Sequence, residues 1–207
     1  IAIATGAGAA TLAVKRACRV AVISTGDELV EAGEPLAPWQ VRRSNAHAVV
    51  TALRAAGHAD IADHHLPDDL PRLESALGDL LATHEVLVLS GGVSMGQFDH
   101  VPAALRSIGV HQVLHRIAQR PGQPLWFGRG PSGQAVFGLP GNPVSTFACT
   151  VRYVLPVMQH LAFHGGPNSS GGRETGMAEN PASLRPFVGE HAQAGKPFAE
   201  QLGGTLQ

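Results

Sequence analysis

The segment "VLVLSGGVSMGQFDH" (residues 86–100) joins an apolar run to a glycine-rich turn and then to an acidic residue. With Glu85 the run covers residues 85–90. It is rich in valine and leucine without alternation, as central parallel strands are. Gly91 and Gly92 let backbone amides turn outward and let a ligand approach closely. The segment therefore predicts a buried strand that ends in an anion site. The carboxylate of Asp99 would repel an anion there, so its presence requires an explanation.

Strands and helices alternate on both sides of this segment. Further strands are predicted at 18–24, 58–65, 110–118, 124–128 and 134–140. Helices are predicted at 44–57, 68–84, 101–109 and 142–163. Ser44 or Asn45 is expected to cap the first of these helices, and Asn142 with Pro143 to begin the last. The alternation predicts an α/β domain with a mostly parallel central sheet that is covered by helices on both faces.

Composition limits the classes of function. Of 207 residues, 44% are apolar and 15% are charged, which is enough for a core and argues against global disorder. The net charge of −1 gives no basis for general nucleic-acid binding. The apolar opening (1–14) is shorter than the roughly 20 residues that span a bilayer, and its basic residues follow it rather than precede it. We expect a cytoplasmic protein that binds neither nucleic acid nor membrane.

Three segments are expected along the chain. Residues 1–17 are interpreted as an N-terminal remnant or linker, and 18–164 as the α/β domain. Residues 165–207 are rich in Gly, Pro and Ser without a sustained period, which is typical of a mobile tail or of a truncated further module.

Three loops leave predicted strands at the edge where open parallel sheets bind ligands. We call "STGDEL" (24–29) the first loop, "SGGVSMGQFD" (90–99) the second and "GLPGNPVS" (138–145) the third. The third loop begins a helix whose first amides suit phosphate, and Ser145 adds a hydroxyl. Each loop alone is also typical of a tight turn or of simple helix capping. Their joint placement favours a single site.

The charged residues suggest how an anion would be held. Asp27, Glu28 and Asp99 would repel an anion unless a divalent cation bridged them to it, as Mg²⁺ does with one or two carboxylates and phosphate oxygens. Asp99 is equally suited to capping the helix that begins near Val101. Arg116 would share a strand face with Arg120, and arginine forks suit phosphate or another tetrahedral oxyanion such as molybdate or sulfate. Two solvated arginines are the alternative.

Four motifs together resemble a known family. They are "VISTGDELV" (22–30), "LSGGVSMGQFD" (89–99), "RPGQP" (120–124) and "GLPGNPVS" (138–145). In this order and spacing they resemble the molybdopterin molybdenumtransferases, the MoeA-type enzymes to which the gephyrin E domain is similar. The resemblance covers about residues 18–163. It corresponds to the family's central molybdopterin-binding domain, a three-layer α/β/α fold shared with MogA and MoaB proteins.

The resemblance implies a function in molybdenum cofactor biosynthesis. Family members insert molybdate into adenylylated molybdopterin and release AMP, with a magnesium-type cation. It further implies a MogA-type adenylyltransferase as partner and a homodimer. Glu28, Asp68 and Asp99 match residues of the family's active site and are the expected catalytic residues, although Asp69 adjoins Asp68. Asp27, Glu28 and Asp99 are the expected metal ligands. The expected substrate-binding residues are Thr25, Gly26, Ser90, Gly91, Gly92, Ser94, Gly96, Arg116, Arg120, Pro140, Gly141, Asn142, Pro143 and Ser145.

The chain also departs from the family pattern. Gln123 stands where the family has a lysine, and residues 1–17 are too short to supply the family's N-terminal domains. The expectation is therefore a fragment that binds ligand but turns over poorly or not at all. Two alternatives stay open: a MogA-type molybdopterin adenylyltransferase, and a non-catalytic scaffold on the same fold. The "GGVSMG" form of the second loop favours molybdenum insertion over adenylylation, for which relatives carry "GGTG".

Overall fold

The computed structural model describes residues 2–11, 16–92 and 100–164, and a twisted sheet of six strands forms its centre. The strands are β1 (Val20–Thr25), β2 (Leu29–Val30), β3 (Val41–Arg42), β4 (Ile61–Leu66), β5 (Val86–Ser90), β6 (His111–His115), β7 (Trp126–Arg129) and β8 (Ala135–Leu139). The sheet order is β4-β1-β5-β8-β7-β6. The first four of these are parallel, while β7 is antiparallel to both neighbours, and β2 pairs with β3 in a separate ribbon.

Helices cover both faces of the sheet. They are α1 (Ala2–Gly6), α2 (Ser44–Ala55), α3 (Leu70–Thr83), α4 (Val101–Ser107), α5 (Pro143–Cys149) and α6 (Leu155–His164), with a π-helical turn (Thr150–Val154) joining the last two. The predicted helix 142–163 is thus one continuous helical rod with a π turn inside it. No helix in the described part of the chain has the length and apolar character needed to cross a membrane.

Successive residues of the central strands supply two separate cores. On one face Val22 and Val88 pack with Leu53 of α2 and Met158 of α6. On the other face the neighbouring strand positions pack against α3 and α4. Because side chains alternate across a strand, each fully buried strand serves both cores. The three-layer α/β/α prediction is confirmed.

Cys18 and Cys149 are buried free thiols. Burial raises the pKa of Cys149 to about 11, so this thiol is a packing residue rather than a nucleophile.

Two local predictions are wrong. Neither Ser44 nor Asn45 caps α2, because Arg43 occupies the cap position and makes no side-chain cap bond. Strand β6 ends at His115, so Arg116 does not share a strand face with Arg120. Arg116 has a φ of +63°. The chain instead turns back there, with the Arg116 amide donating to the Leu125 carbonyl (2.9 Å).

The division of the chain into segments 1–17, 18–164 and 165–207 stays a prediction. Residues 2–6 of the expected N-terminal segment form α1, and the expected tail 165–207 lies outside the described residues.

At the edge of the sheet opposite the three loops, Glu85 joins the starts of β1 and β5. Its carboxylate is 2% exposed and accepts hydrogen bonds from the Arg19 amide (2.6 Å) and from the Arg16 guanidinium. Burial acts to raise the pKa of Glu85, but the bonds from Arg16 and Arg19 prevail and hold the pKa below its usual value.

Glu85→Gln should change the pH dependence of stability. A carboxyl with a depressed folded pKa stabilises the protein above its unfolded pKa of about 4.3, and this stability is lost as pH falls through the folded value. The variant should lose about 1–3 kcal/mol of unfolding free energy at pH 7. Its stability should also change less between pH 5 and pH 3 than that of the native chain, as measured by urea titration.

The matched control is Glu34→Gln, which alters an exposed glutamate. If the unfolding free energies of both variants depend on pH in the same way, the Glu85 carboxylate makes no specific contribution to stability.

Candidate functional site

The three loops meet at one edge of the sheet, as predicted. Strands β1, β5 and β8 are adjacent and parallel, and their register aligns Ser24 with Ser90 and Ser90 with Leu139. Because parallel strands in register end at the same height, the first, second and third loops leave the sheet side by side. This is the edge at which α/β sheets bind ligands.

A cleft of about 390 Å³ opens between these loops and the β3–α2 corner; we call it the loop cleft. Its lining residues are Ser24, Thr25, Glu28, Leu29, Val41, Arg42, Arg43, Ser44, Asn45, Ser90, Gly91, Gly141 and Pro143. Every loop contributes, so the cleft depends on the strand order rather than on any one motif.

The second loop passes so close to the first that it requires glycine. Gly91 has a φ of +96°, and a β-carbon there would lie 2.7 Å from the Thr25 carbonyl oxygen. Gly92 has a φ of +59°, and its β-carbon would lie 2.9 Å from Val101 Cγ2. Both the backbone conformation and the space therefore exclude a side chain. Ser94, Gly96 and Asp99, predicted from the same loop, lie outside the described residues.

Polar atoms without partners line the loop cleft. Ser24 and Thr25 are 1% and 2% exposed, and in the described structure their hydroxyl oxygens have no hydrogen-bond partner. The same holds for Asn45 Oδ1, whereas Asn45 Nδ2 donates to the Gly141 carbonyl (2.8 Å) and ties α2 to the third loop. An unpaired buried polar atom costs about 1–3 kcal/mol. Such atoms gathered at one cleft are typical of a site that pairs them with a ligand.

The helix that follows the third loop satisfies most of its own first amides. Asn142 Oδ1 accepts from the Ser145 amide (3.2 Å) and the Asn142 carbonyl accepts from the Thr146 amide (2.9 Å), so the predicted cap is confirmed. Ser145 Oγ also donates to Asn142 Oδ1 (3.4 Å). Pro143 has no N–H, which leaves the Val144 amide to bind solvent or a ligand. The helix end thus offers less to an anion than the sequence alone indicates.

Buried Pro140 lies under this turn, where its carbonyl accepts a hydrogen bond from the Thr146 hydroxyl. It shapes the third loop from below and does not line the cleft.

The acidic residues divide between the cleft and its margin. Glu28 lines the cleft, with its carboxylate against Gly26. Asp27 and Asp68 are exposed outside the lining, and the Asp68 amide donates to Asp27 Oδ1 (3.4 Å). Asp69 caps α3 by accepting from the Arg72 amide (3.0 Å), which separates its role from that of Asp68. Within residues 2–11, 16–92 and 100–164, no three His, Cys, Asp or Glu side chains are grouped to hold a metal ion.

The first loop is also held from the neighbouring strand. His65 Nε2 lies 2.8 Å from the Gly26 carbonyl oxygen and donates to it. Gly26 therefore positions the loop rather than lining the cleft.

The positions of the arginines differ most from those that the sequence predicted. Arg116 and Arg120 are exposed in the β6–β7 turn, and neither lines the loop cleft. The turn starts at the end of β6, two strands or roughly 10 Å from β8, whereas its other end lies beside the third loop, since Trp126 pairs with Gly138. Arg42 and Arg43 line the cleft instead.

Ser24, Leu29 and the segment 41–45 line the cleft but were not predicted as site residues. The available signal was a pair of arginines directly before a helix start, in "VRRSN". Only Ser44 or Asn45 of this segment was given a role, as a helix cap. The fold places the segment beside the first loop, because β3 pairs with β2, which follows that loop directly.

The comparisons with known proteins agree with this geometry. Residues 21–160 match the family model described as a probable molybdopterin binding domain. A molybdopterin molybdenumtransferase from Synechocystis sp. is 38% identical over 154 residues, which are 74% of this chain and 40% of that protein. One from Bacillus subtilis is 30% identical over 162 residues, or 78% of this chain and 37% of that protein. The chain thus spans about 40% of the length of these relatives.

Solved structures give the same result for the fold. A molybdopterin biosynthesis MoeA protein from Pyrococcus horikoshii superposes with a TM-score of 0.62 at 30% identity, over 73% of this chain and 37% of that one. The molybdopterin biosynthesis enzyme MoaB from Thermus thermophilus superposes with a TM-score of 0.51 at 20% identity, over 70% of this chain and 94% of that one. The second likeness concerns the fold alone.

Gly91→Ala should destabilise the protein by about 1–3 kcal/mol, because the methyl group meets the Thr25 carbonyl in a strained backbone conformation. Gly78→Ala is the matched control. Gly78 lies inside α3 with open space around its α-carbon, so alanine there should stabilise by about 0.5–1 kcal/mol. Urea unfolding measures both. A neutral Gly91→Ala would contradict the close approach of the two loops.

Proposed function

The chain belongs to the family of probable molybdopterin binding domains, and from this membership we propose that its loop cleft binds adenylylated molybdopterin for the insertion of molybdate, with release of AMP. The observation that carries the proposal is the meeting of three loops at one sheet edge, around a cleft with unpaired buried hydroxyls. The curated relatives are named molybdopterin molybdenumtransferases. The proposed activity is that of a transferase in molybdenum cofactor biosynthesis.

Each part of the cleft has a distinct proposed task. The hydroxyls of Ser24 and Thr25 hydrogen-bond the ligand, which removes the cost of leaving them unpaired. The tight turn at Gly91 brings the ligand close to the backbone of the second loop. The Val144 amide at the helix start adds a donor for a phosphate oxygen.

Release of AMP is a hydrolysis at phosphorus. Water adds to the phosphorus of the AMP group, the molybdopterin phosphate leaves, and the proton of the water passes to the leaving phosphate. The three loops orient the two phosphates at the end of the sheet, while Asn45, bonded to Gly141, keeps the third loop against α2. Asp68 and Asp99 retain their proposed catalytic roles from the family motif, with Asp68 beside the first loop.

We propose Mg²⁺ as the cofactor. The donor set fits this ion, since Mg²⁺ takes one or two protein carboxylates and completes its shell with phosphate oxygens and water. Glu28 is placed in the cleft to be one such ligand, and Asp27 and Asp99 are the further candidates. When bound, the ion would neutralise phosphate charge and activate the phosphorus toward water.

Insertion of molybdate is favoured over adenylylation of molybdopterin. The relatives at 30% identity or more are named molybdenumtransferases, whereas the MoaB neighbour at 20% supports only a common fold. The unpaired hydroxyls also favour a ligand site over a non-catalytic scaffold, which has no need of them.

The proposed setting follows the family. We propose a cytoplasmic homodimer that receives molybdopterin-AMP from a MogA-type adenylyltransferase. An apolar face along α2 and α5 supports a second copy as the occupant, because Phe147 and Val151 are 51% and 47% exposed next to Ala52 and Ala55. Exposed apolar surface of this kind is typical of an interface.

Binding of AMP tests the proposed site. Calorimetric titration of the chain with AMP should show binding that strengthens when Mg²⁺ is present. Thr25→Val should weaken AMP affinity about fivefold or more while leaving the free energy of unfolding unchanged or raised, because the lost hydroxyl has no protein partner. Thr146→Val should leave AMP affinity unchanged and lower the free energy of unfolding. Its hydroxyl donates to the Pro140 and Asn142 carbonyls, so its loss should cost about 1 kcal/mol of stability.

Molybdate separates the alternatives. Molybdate-dependent release of AMP from molybdopterin-AMP supports the insertion reaction. Transfer of AMP from ATP to molybdopterin would show instead that the chain is an adenylyltransferase, and the proposed insertion reaction would be wrong. Absence of any affinity for AMP or molybdopterin-AMP, with or without Mg²⁺, would overturn the proposed site in favour of a scaffold.

Phe147→Glu tests the proposed dimer, since a charge on the apolar face opposes burial of that face. The variant should elute as a monomer in size-exclusion chromatography with light scattering, while the native chain elutes as a dimer. Leu36→Glu is the matched control, because Leu36 has a similar exposure (49%) and lies away from this face. Equal masses for all three proteins would contradict an interface at α2 and α5.

A further inference from the structure

Arg42 occupies a fixed place beside the acidic residue of the loop cleft. It lies on β3, where its register partner is Val30 of β2. The Val41 amide donates to the Glu28 carbonyl (2.9 Å), and the Arg43 amide donates to the Val30 carbonyl (3.0 Å). Arg42 and Glu28 are therefore carried by the same short ribbon, and both line the cleft.

The charge of Arg42 is not neutralised by the protein around it. Its Nη1 donates to the backbone carbonyl of Glu31 (2.7 Å), which is an uncharged partner. Among the described residues Arg42 forms no salt bridge, and its side chain is exposed. One end of the guanidinium is thus anchored, which reduces the entropy lost when the remaining N–H groups bind a ligand.

Arg43, the next residue, has the opposite character. Its side chain is 6% exposed and forms ion pairs with both Glu31 and Asp63. It also donates to the His64 carbonyl (3.0 Å). Two carboxylates balance its charge, so Arg43 fixes the β3–α2 corner against β4 and has no free charge for a ligand.

We propose that Arg42 is the residue of this chain that binds a tetrahedral oxyanion in the loop cleft, through guanidinium hydrogen bonds to its oxygens. Guanidinium forks match phosphate and similar oxyanions, and Arg42 is the arginine of the lining whose charge is unbalanced. Arg116 and Arg120, which the sequence suggested for this task, lie in the β6–β7 turn outside the lining. The inference rests on the proposed function, which supplies two sources of the oxyanion: the phosphate of a nucleotide and free molybdate.

Binding measurements on the full chain test this role. AMP, adenosine and sodium molybdate are titrated calorimetrically at low salt into the native chain, Arg42→Gln, Arg42→Lys and Arg54→Gln. Arg54 is an exposed arginine near the far end of α2 and serves as the control for loss of one surface charge. Thermal unfolding of each variant reports whether loss of the bond to Glu31 disturbs the fold.

Arg42→Gln should weaken AMP binding about tenfold or more, as expected for loss of a charge-assisted hydrogen bond. Arg42→Lys should recover part of this loss because it keeps the charge, and Arg54→Gln should match the native chain. Adenosine, which lacks the phosphate, should bind equally to all four proteins. If Arg42→Gln weakens the binding of molybdate but not of AMP, Arg42 binds molybdate and not the nucleotide phosphate.

The outcomes separate this inference from the proposed function. If the native chain binds AMP and Arg42→Gln binds it equally well, with molybdate also unchanged, the role of Arg42 is overturned while the proposed function stands. If molybdate binds in an Arg42-dependent way but AMP does not bind, the oxyanion role stands and the nucleotide site fails. If the native chain binds none of the three probes, both are overturned.

Discussion

The in-register parallel pairing of β1, β5 and β8 is the constraint on which the site depends. These three strands are buried on both faces and lie inside the sheet, so each forms backbone hydrogen bonds with a strand on either side, and their ends are held level. Because the strand ends are level and adjacent, the three loops leave the sheet side by side. A shift of the register by one residue would exchange the two cores and separate Ser24 from Ser90.

Close approach is what turns this edge into a cleft. Gly91 and Gly92 allow the second loop to pass against Thr25, where β-carbons on the two glycines would lie 3.2 and 3.1 Å from the Thr25 hydroxyl oxygen. On the other side, the ion pairs that buried Arg43 forms with Glu31 and Asp63 hold the β3–α2 corner against β4. Removing one partner from a buried charge is costly, so this corner is a rigid side of the cleft, in which the Ser24 and Thr25 hydroxyls and Asn45 Oδ1 are unpaired.

Much of the fold follows from the sequence because each element carries its own signal. The unbroken apolar run before Gly91 indicates a doubly buried strand, and Asn142 with Pro143 indicates a helix start. Other elements lack such a signal. Nothing local tells that Arg116 would adopt a left-handed conformation, since the chain is turned there by hydrogen bonds between residues on either side of Pro121 and Gly122. Arg42 and Arg43 line the cleft but were not predicted to do so, because β3 is only two residues long and carries no local signal.

The sequence by itself determined the fold class, the three loops and the family, because glycine, proline and apolar runs restrict the backbone wherever they occur. Only the tertiary structure decided which charged residues share the cleft. Arg42 joins it and Arg116 does not, since strand order places β3 beside the first loop and inserts β7 between β6 and β8. Charge acts over a few ångströms in space, and distance along the chain carries no record of that separation.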